Sequence, residues 1–271
     1  MYEFDRATPV TVALRIHGGR VEVTAEERST IEVEVTPLSG GEGAREAAER
    51  TRVVLEDDTL LVQAPGADYW SWRRSPKLAV TIRVPAGSAL VGKSSAADIR
   101  AAGVYSMAQL NVASADIEVE EVTGDALLDA ASGDLSIGRV GGGLRIKSSS
   151  GALRVGDVTG DVMAETASGA IFLRSGAGSL KAKSASGDIE VGRLRQGRAQ
   201  IGTASGDVRV GVAAGTGVWL DLDTASGKST SDLTNHGDVA PTDKPTNLEL
   251  RVRTASGDIH IHRALGDLKV A

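Results

Sequence analysis

From residue 97 onward, short runs of alternating apolar and polar residues recur every 18 positions. The residue before the Asp of each Ser-Gly-Asp-like turn serves as a marker. The markers are Ala97, Ala115, Gly133, Gly151, Gly169, Gly187, Gly206, Gly227 and Gly257, so the gaps are 18 five times, then 19, 21 and 30. Two residues after the marker stand Ile99, Ile117, Leu135, Leu153, Ile171, Ile189, Val208 and Ile259; two further on stand Ala101, Val119, Ile137, Val155, Leu173, Val191, Val210 and Ile261. Between them lie Arg100, Glu118, Ser136, Arg154, Phe172, Glu190, Arg209 and His260. This is the period-2 pattern of a half-buried strand. A corner residue follows at Val104, Val122, Val140, Val158 and Leu194, then a second strand at Ala108/Leu110, Ala126/Leu128, Leu144/Ile146, Val162/Ala164 and Leu180/Ala182.

Each repeat thus supplies two strands and two turns. One repeat cannot bury its own apolar columns, whereas stacked repeats can. The pattern predicts an all-β protein, a parallel β-helix of about 18 residues per coil. Parallel crossovers favour a right-handed coil. Glycine at the markers fits a corner that needs positive φ and has no room for a side chain.

Residues 1–90 lack the repeat and are read as a β-rich N-terminal cap; residues 91–271 are read as solenoid, with a loop insertion near 228–247. In the cap, Val10 to Ile16 and Val21 to Val23 alternate around His17-Gly18-Gly19-Arg20, which predicts a hairpin. Further strands are expected at Ile31–Val35, Val53–Leu55, Leu60–Val62 and Leu78–Val84. Gly43 to Arg52 suits a short helix or a loop.

The segments Ser184-Ala185-Ser186-Gly187-Asp188-Ile189, Thr203-Ala204-Ser205-Gly206-Asp207-Val208 and Thr254-Ala255-Ser256-Gly257-Asp258-Ile259 resemble the repeat of the DUF4097 family. Ile82-Arg83-Val84-Pro85-Ala86-Gly87 resembles the segment that precedes those repeats. The resemblance implies a β-strand-repeat, adhesin-like protein, and says more about architecture than about activity. The 18-residue coil is also similar to that of the bactofilins, cytoskeletal β-helices.

Composition narrows the function classes. Only 3% of residues are aromatic and there are 33 glycines, which suits thin stacked layers. The absence of cysteine excludes disulfides, thiolate zinc sites and cysteine nucleophiles. A net charge of −6, spread along the chain, leaves no footprint for nucleic acid. No apolar run is long enough to span a membrane, and no signal-peptide pattern opens the sequence. These features lead to the expectation of a cytoplasmic protein with no cofactor and no integral membrane segment.

Four constellations are candidate sites. Asp98, Asp116, Asp134, Asp188, Asp207 and Asp258 form a column that suits either a cation row or carboxylates that each accept local backbone N–H groups and set their own turn. Ala152, Ala170 and Lys228 interrupt it, which favours the second reading. The outward residues Arg100, Glu118, Arg154, Glu190 and Arg209 mimic a polysaccharide-cleaving face or form a solvated mixed-charge surface. His260 and His262 share a strand face but lack a third ligand. The segment Asp68–Pro76 holds three of the eight aromatics. Its Tyr69, Trp70, Trp72, Arg73 and Arg74 have the chemistry of a protein-binding hot spot; they also suit peripheral membrane contact or a plug on the first coil.

The sequence therefore points to a non-enzymatic structural or interaction protein, with a protein partner or self-association as its mode of action. The alternative is an adhesin-like module for a cell-envelope polymer or protein. A polysaccharide-active β-helix enzyme ranks third.

Overall fold

The computed structural model describes residues 1–39, 41–65, 76–233 and 247–264. The chain divides into two compact units, Met1–Gly141 and Gly142–Ala271. Both are built as parallel β-helices, and each is described separately.

In the first unit every coil contributes one strand to each of two sheets. In one sheet Thr11–Glu26, Ala89–Tyr105, Met107–Ser114 and Ala126–Ser132 stack in parallel register, with Thr11 on Ala89, Ala89 on Met107 and Leu110 on Leu128. In the other, Val21 lies on Ile99, Ile99 on Ile117 and Ile117 on Leu135. Every member of that column is buried. Full burial of such a side chain stabilises by about 1.5–3 kcal/mol, and this repeated gain holds the coils together.

The predicted hairpin at Gly18-Gly19 does not form. Thr11–Glu26 is one continuous strand that turns a coil corner there, with Gly19 in register with the marker Ala97. Gly19 has φ +117°, and a Cβ on it would lie 1.9 Å from the Leu78 carbonyl oxygen. Alternation on both sides of a Gly-Gly pair suits a corner as well as a hairpin, because both bring two half-buried strands together. The hairpin sits elsewhere: Arg52–Glu56 and Thr59–Gln63 pair antiparallel around Asp57, which has φ +51°.

Beyond Thr11–Glu26 the parallel stack is closed off. Thr59–Gln63 and Leu78–Pro85 cover its two halves in parallel register. Antiparallel strands then lie outside them: Arg52–Glu56 on the first, Thr30–Pro37 on the second, and Tyr2–Asp5 on Thr30–Pro37. The helix Glu42–Glu49 buries Ala44 and Ala47. These elements cover backbone groups that a bare coil edge would expose.

The first corner also departs from expectation. Val104 is 36% exposed, and Tyr105, fully buried, lies in register with Val122. The register shifts between Ala101 and Val104, where Gly103 takes φ +91°. The extra residue pushes Val104 out and Tyr105 in.

In the second unit Leu144–Ser150, Val162–Ser168, Leu180–Ser186 and Gly197–Ser205 stack in chain order, as do Leu153–Val158, Ile171–Gly176, Ile189–Leu194 and Val208–Val212. The order then breaks. The coil Leu248–Ser256 and Ile259–Arg263 lies directly on Gly197–Ser205 and Val208–Val212. Val218–Ser226 and Ser229–Ser231, earlier in the chain, lie outside it. Polarity accounts for this. Ser229 and Ser231 occupy the positions of Ile259 and Ile261 in the apolar columns. Stacked in chain order, they would separate Val208 and Val210 from Ile259 and Ile261. As built, both isoleucines are buried and both serines are exposed, so no hydroxyl is stranded between apolar layers.

Candidate interaction surface

Three kinds of hydrogen bond join neighbouring repeat turns where the Ser/Thr-Ala-Ser-Gly-Asp pattern is complete. Elsewhere the Ser148 hydroxyl donates within its own turn, to the Ser150 carbonyl, and the Thr166 hydroxyl is buried without a partner. The marker glycine donates its N–H to a serine carbonyl: Gly169 to Ser186 at 3.0 Å, Gly187 to Ser205 at 2.9 Å, Gly206 to Ser256 at 2.9 Å. The hydroxyl three residues before the marker donates to a neighbouring marker's carbonyl: Ser184 to Gly169 at 3.2 Å, Thr203 to Gly187 at 3.1 Å, Thr254 to Gly206 at 3.3 Å. The aspartate carboxylate accepts the next aspartate's N–H. In the first unit Asp98 accepts from Asp116 at 3.1 Å and Asp116 from Asp134 at 2.8 Å. In the second, Asp188 accepts from Asp207 at 2.8 Å and Asp207 from Asp258 at 2.9 Å.

The Asp column thus does what the backbone reading expects, except that each N–H belongs to the next coil rather than to its own turn. A local-turn view of the sequence has no means of seeing this. Among the described residues, no three His, Asp or Glu side chains converge to hold a metal ion.

The outward charges pair along the stack. Arg100 lies 3.5 Å from Glu118. Arg209 lies 3.4 Å from Asp207 and in register with Glu190, and Arg154 is in register with Phe172. Glu118 has Arg100 and Leu135's neighbour Ser136 on its flanking rungs, and Glu190 has Phe172 and Arg209. Along their own strands Glu118 is followed two residues on by the exposed Glu120, and Glu190 is preceded by the exposed Asp188. Exposed ion pairs such as Arg100 with Glu118 contribute about 0–1 kcal/mol each.

Among the described residues, two ionisable groups are shifted by their surroundings. Burial, with a smaller push from the Glu120 charge, raises the Tyr105 hydroxyl well above its ordinary range. Its O–H lies 2.9 Å from the Val23 carbonyl and 3.1 Å from that of Ala102. The hydrogen bond from Lys147 holds Glu165 below the ordinary carboxylate range, with Lys181 adding to the effect. The Lys147 and Lys181 ammonium groups lie 2.6 and 3.4 Å from its carboxylate. Both shifts belong to groups that bind the coils together.

His260 and His262 do share a face, their rings stacked with centroids 5.5 Å apart. The His260 ring nitrogens face Thr230 Oγ1 at 3.0 Å and Asp232 Oδ2 at 3.4 Å. Both neighbours belong to the coil that lies outside it, so the histidines are not on the last coil as chain order suggests. Tyr69, Trp70, Trp72, Arg73 and Arg74 lie outside the described residues, as does most of the 228–247 insertion. No described helix is long and apolar enough to cross a membrane.

A family model described as Toastrack DUF4097 matches residues 11–262. No curated protein matches the chain. Among solved structures, a candidate adhesin from Bacteroides fragilis is 12% identical, with 96% of this chain and 95% of that chain covered at a TM-score of 0.49. A candidate adhesin from Parabacteroides distasonis is 13% identical, with 95% of each chain covered at 0.45. A candidate lipid-binding protein from the same species is 11% identical, with 97% and 96% covered at 0.42.

Proposed function

The chain belongs to the Toastrack DUF4097 family, and on that premise we propose that it is a non-enzymatic structural or interaction protein that presents a β-solenoid surface. The observation that carries this reading is the use of the repeat's polar residues. In the turns at Gly187, Gly206 and Gly257 the Ser/Thr hydroxyl, the marker N–H and the Asp carboxylate are each engaged in coil-to-coil bonds, so what recurs there is stacking chemistry. Function then falls to the outward faces and the irregular segments. Tyr69, Trp70, Trp72, Arg73 and Arg74 supply the aromatic and guanidinium groups that dominate protein contacts, and self-association through them is the mode proposed.

Light scattering on the full chain, with and without Trp70→Ala/Trp72→Ala, tests this. The wild type is expected to form larger species as concentration rises, and the variant to stay monomeric with an unchanged melting midpoint. A monodisperse wild-type monomer at high concentration would overturn self-association. A binding role toward an envelope polymer is the second reading, favoured by the sheet face described next.

A further inference from the structure

One face of the second unit carries pairs of cations on alternate rungs. The outward positions of its first sheet form two lanes. One lane reads Arg145, Met163, Lys181, Gln200, Arg251, Asp221 from rung to rung; the other reads Lys147, Glu165, Lys183, Gly202, Arg253, Asp223. Cation pairs occupy the first, third and fifth rungs, and no pair stands on the second, fourth or sixth. Beside the lanes Arg198 on the fourth rung is ion-paired with Glu249 on the fifth at 2.9 Å, and Trp219 follows on the sixth. The out-of-order coil creates the third pair's position. In chain order the Asp221/Asp223 rung would fall fifth and Arg251/Arg253 sixth.

Rungs are about 4.8 Å apart, so the pairs recur at about 10 Å, and the two cations of a pair stand about 7 Å apart along their strand. One cation of each pair is tied down: Lys147 and Lys181 by Glu165, and Arg251 by Asp221 at 2.8 Å. The other, Arg145, Lys183 or Arg253, is exposed and makes no ion pair with the described residues. Arg145, Lys183 and Arg253 thus stand without an ion pair among the described residues and Lys147 and Lys181 share one carboxylate, while Asp223 is in register with Arg253, on a chain that carries −6 as a whole.

We propose that this face binds an extended acidic polysaccharide bearing a carboxylate on alternate sugars, laid along the stacking direction. The charged sugars meet the cation rungs. The neutral sugars meet the rungs of Met163 with the lysine-bound Glu165, and of Gln200 with Gly202. The acidic pair Asp221/Asp223 ends the track. Trp219, 47% exposed on that last rung, offers a flat apolar surface to a sugar ring. A nucleic acid strand, with a charge about every 3.4 Å, is too dense for this spacing, and Trp219, at the last rung, is no run of platforms for successive bases. A membrane surface would call for several apolar residues to insert, and the face supplies only the half-buried Met163 and, at its last rung, Trp219.

This inference rests on the binding reading above, and its test separates the two. The full chain is run through native gels containing hyaluronate, which carries a carboxylate on alternate sugars, with dextran as the neutral control. Retardation is expected in hyaluronate alone. It should weaken as salt rises from about 0.05 to about 0.5 M, where screening is strong. Each of Arg145→Gln, Lys183→Gln and Arg253→Gln should weaken binding roughly 2- to 5-fold, the size of an exposed ion pair. The triple variant should abolish retardation with an unchanged melting midpoint; should it fail to fold, the single variants carry the comparison. No retardation, or retention equal in the variants, would overturn the site and leave the non-enzymatic reading standing. Tighter binding to polygalacturonate, single-stranded DNA or phosphatidylserine vesicles would overturn the spacing argument. Release of reducing ends from the bound polymer would overturn the non-enzymatic reading while leaving the site in place.

Discussion

The Asp258 carboxylate accepts the backbone N–H of Lys228 at 2.8 Å, although Lys228 precedes it by 30 residues. On the other side Asp258 donates its own N–H to Asp207 at 2.9 Å. The last coil in the sequence is thus held between the two coils that come before it. The arrangement keeps the apolar columns continuous, sets the fifth rung of the cation lanes and leaves the most polar coil outermost. Its physical basis is the polarity of single positions, Ser229 and Ser231 against Ile259 and Ile261.

The marker glycines should be intolerant of any side chain. Gly206 has φ +148°, and a Cβ there would lie 2.4 Å from the Gly187 carbonyl oxygen and 2.6 Å from its carbon. Both are backbone atoms and cannot swing aside. Gly206→Ala should destabilise by about 2–4 kcal/mol, combining steric clash and strain. Gly43 makes the contrast, since it lies in the helix Glu42–Glu49 with nothing within 4 Å of an added Cβ. Gly43→Ala should stabilise by about 0.5–1 kcal/mol through helix propensity. Urea unfolding midpoints of the two variants check both, and equal effects would refute the steric account.

Tyr105 should make stability depend on alkaline pH. Its O–H is buried against the carbonyls of Val23 and Ala102, and burial raises its pKa. A group whose folded pKa lies above its unfolded value contributes stability that is complete below the unfolded value and lost as pH rises. Unfolded tyrosine ionises near pH 10, so the wild type should lose stability above about pH 10 more steeply than Tyr105→Phe. At neutral pH the Phe variant should be less stable by about 1–2 kcal/mol, because a buried carbonyl loses its donor. Parallel pH profiles for the two proteins would exclude the assignment.

The column alignments were legible because 18-residue spacing puts Ile99, Ile117 and Leu135 at one phase of one period, and only stacking buries them together. The order of coils was not. Thr203-Ala204-Ser205-Gly206-Asp207 and Thr254-Ala255-Ser256-Gly257-Asp258 are the same five residues, so their turns are interchangeable and the motif does not reveal which neighbour each one takes. The alternate-rung cation pairs depend on that order and were hidden with it. The corner at Val104 was misread for a local reason: one residue of backbone excess exchanges the inward and outward sets.

Glu165 should make a small contribution of the opposite pH sign. Lys147 holds its carboxyl below the ordinary range, so its stabilisation is present above the unfolded value and lost as pH falls. Glu165→Gln should cost about 0.5 kcal/mol or less at pH 7, given its partly exposed setting. The difference from wild type should begin to shrink near pH 4, where unfolded glutamate titrates, and vanish only below the lowered folded value. The same variant frees Lys147 and Lys181 on the cation face, so retardation by hyaluronate should increase. Thermal scans across pH, with the gel assay at neutral pH, measure the two effects independently.

Engineered cysteines can test the coil order without interference, since the chain has none of its own. Ser256 is in register with Ser205 on one side and Ser226 on the other, and all three are exposed. Neighbouring rungs stand about 4.8 Å apart, within the Cα range for a disulfide, whereas rungs separated by a third stand about 10 Å apart, beyond it. Ser205→Cys/Ser256→Cys and Ser226→Cys/Ser256→Cys should therefore cross-link readily under mild oxidation. Ser205→Cys/Ser226→Cys should not, although those two turns are consecutive in the sequence. Peptide mapping after oxidation distinguishes the three. Stacking in chain order would give the reverse for the first and third pairs: rapid linkage of 205 to 226 and none of 205 to 256. That outcome would also move Arg251 and Arg253 off the fifth rung and remove the spacing on which the polysaccharide site depends.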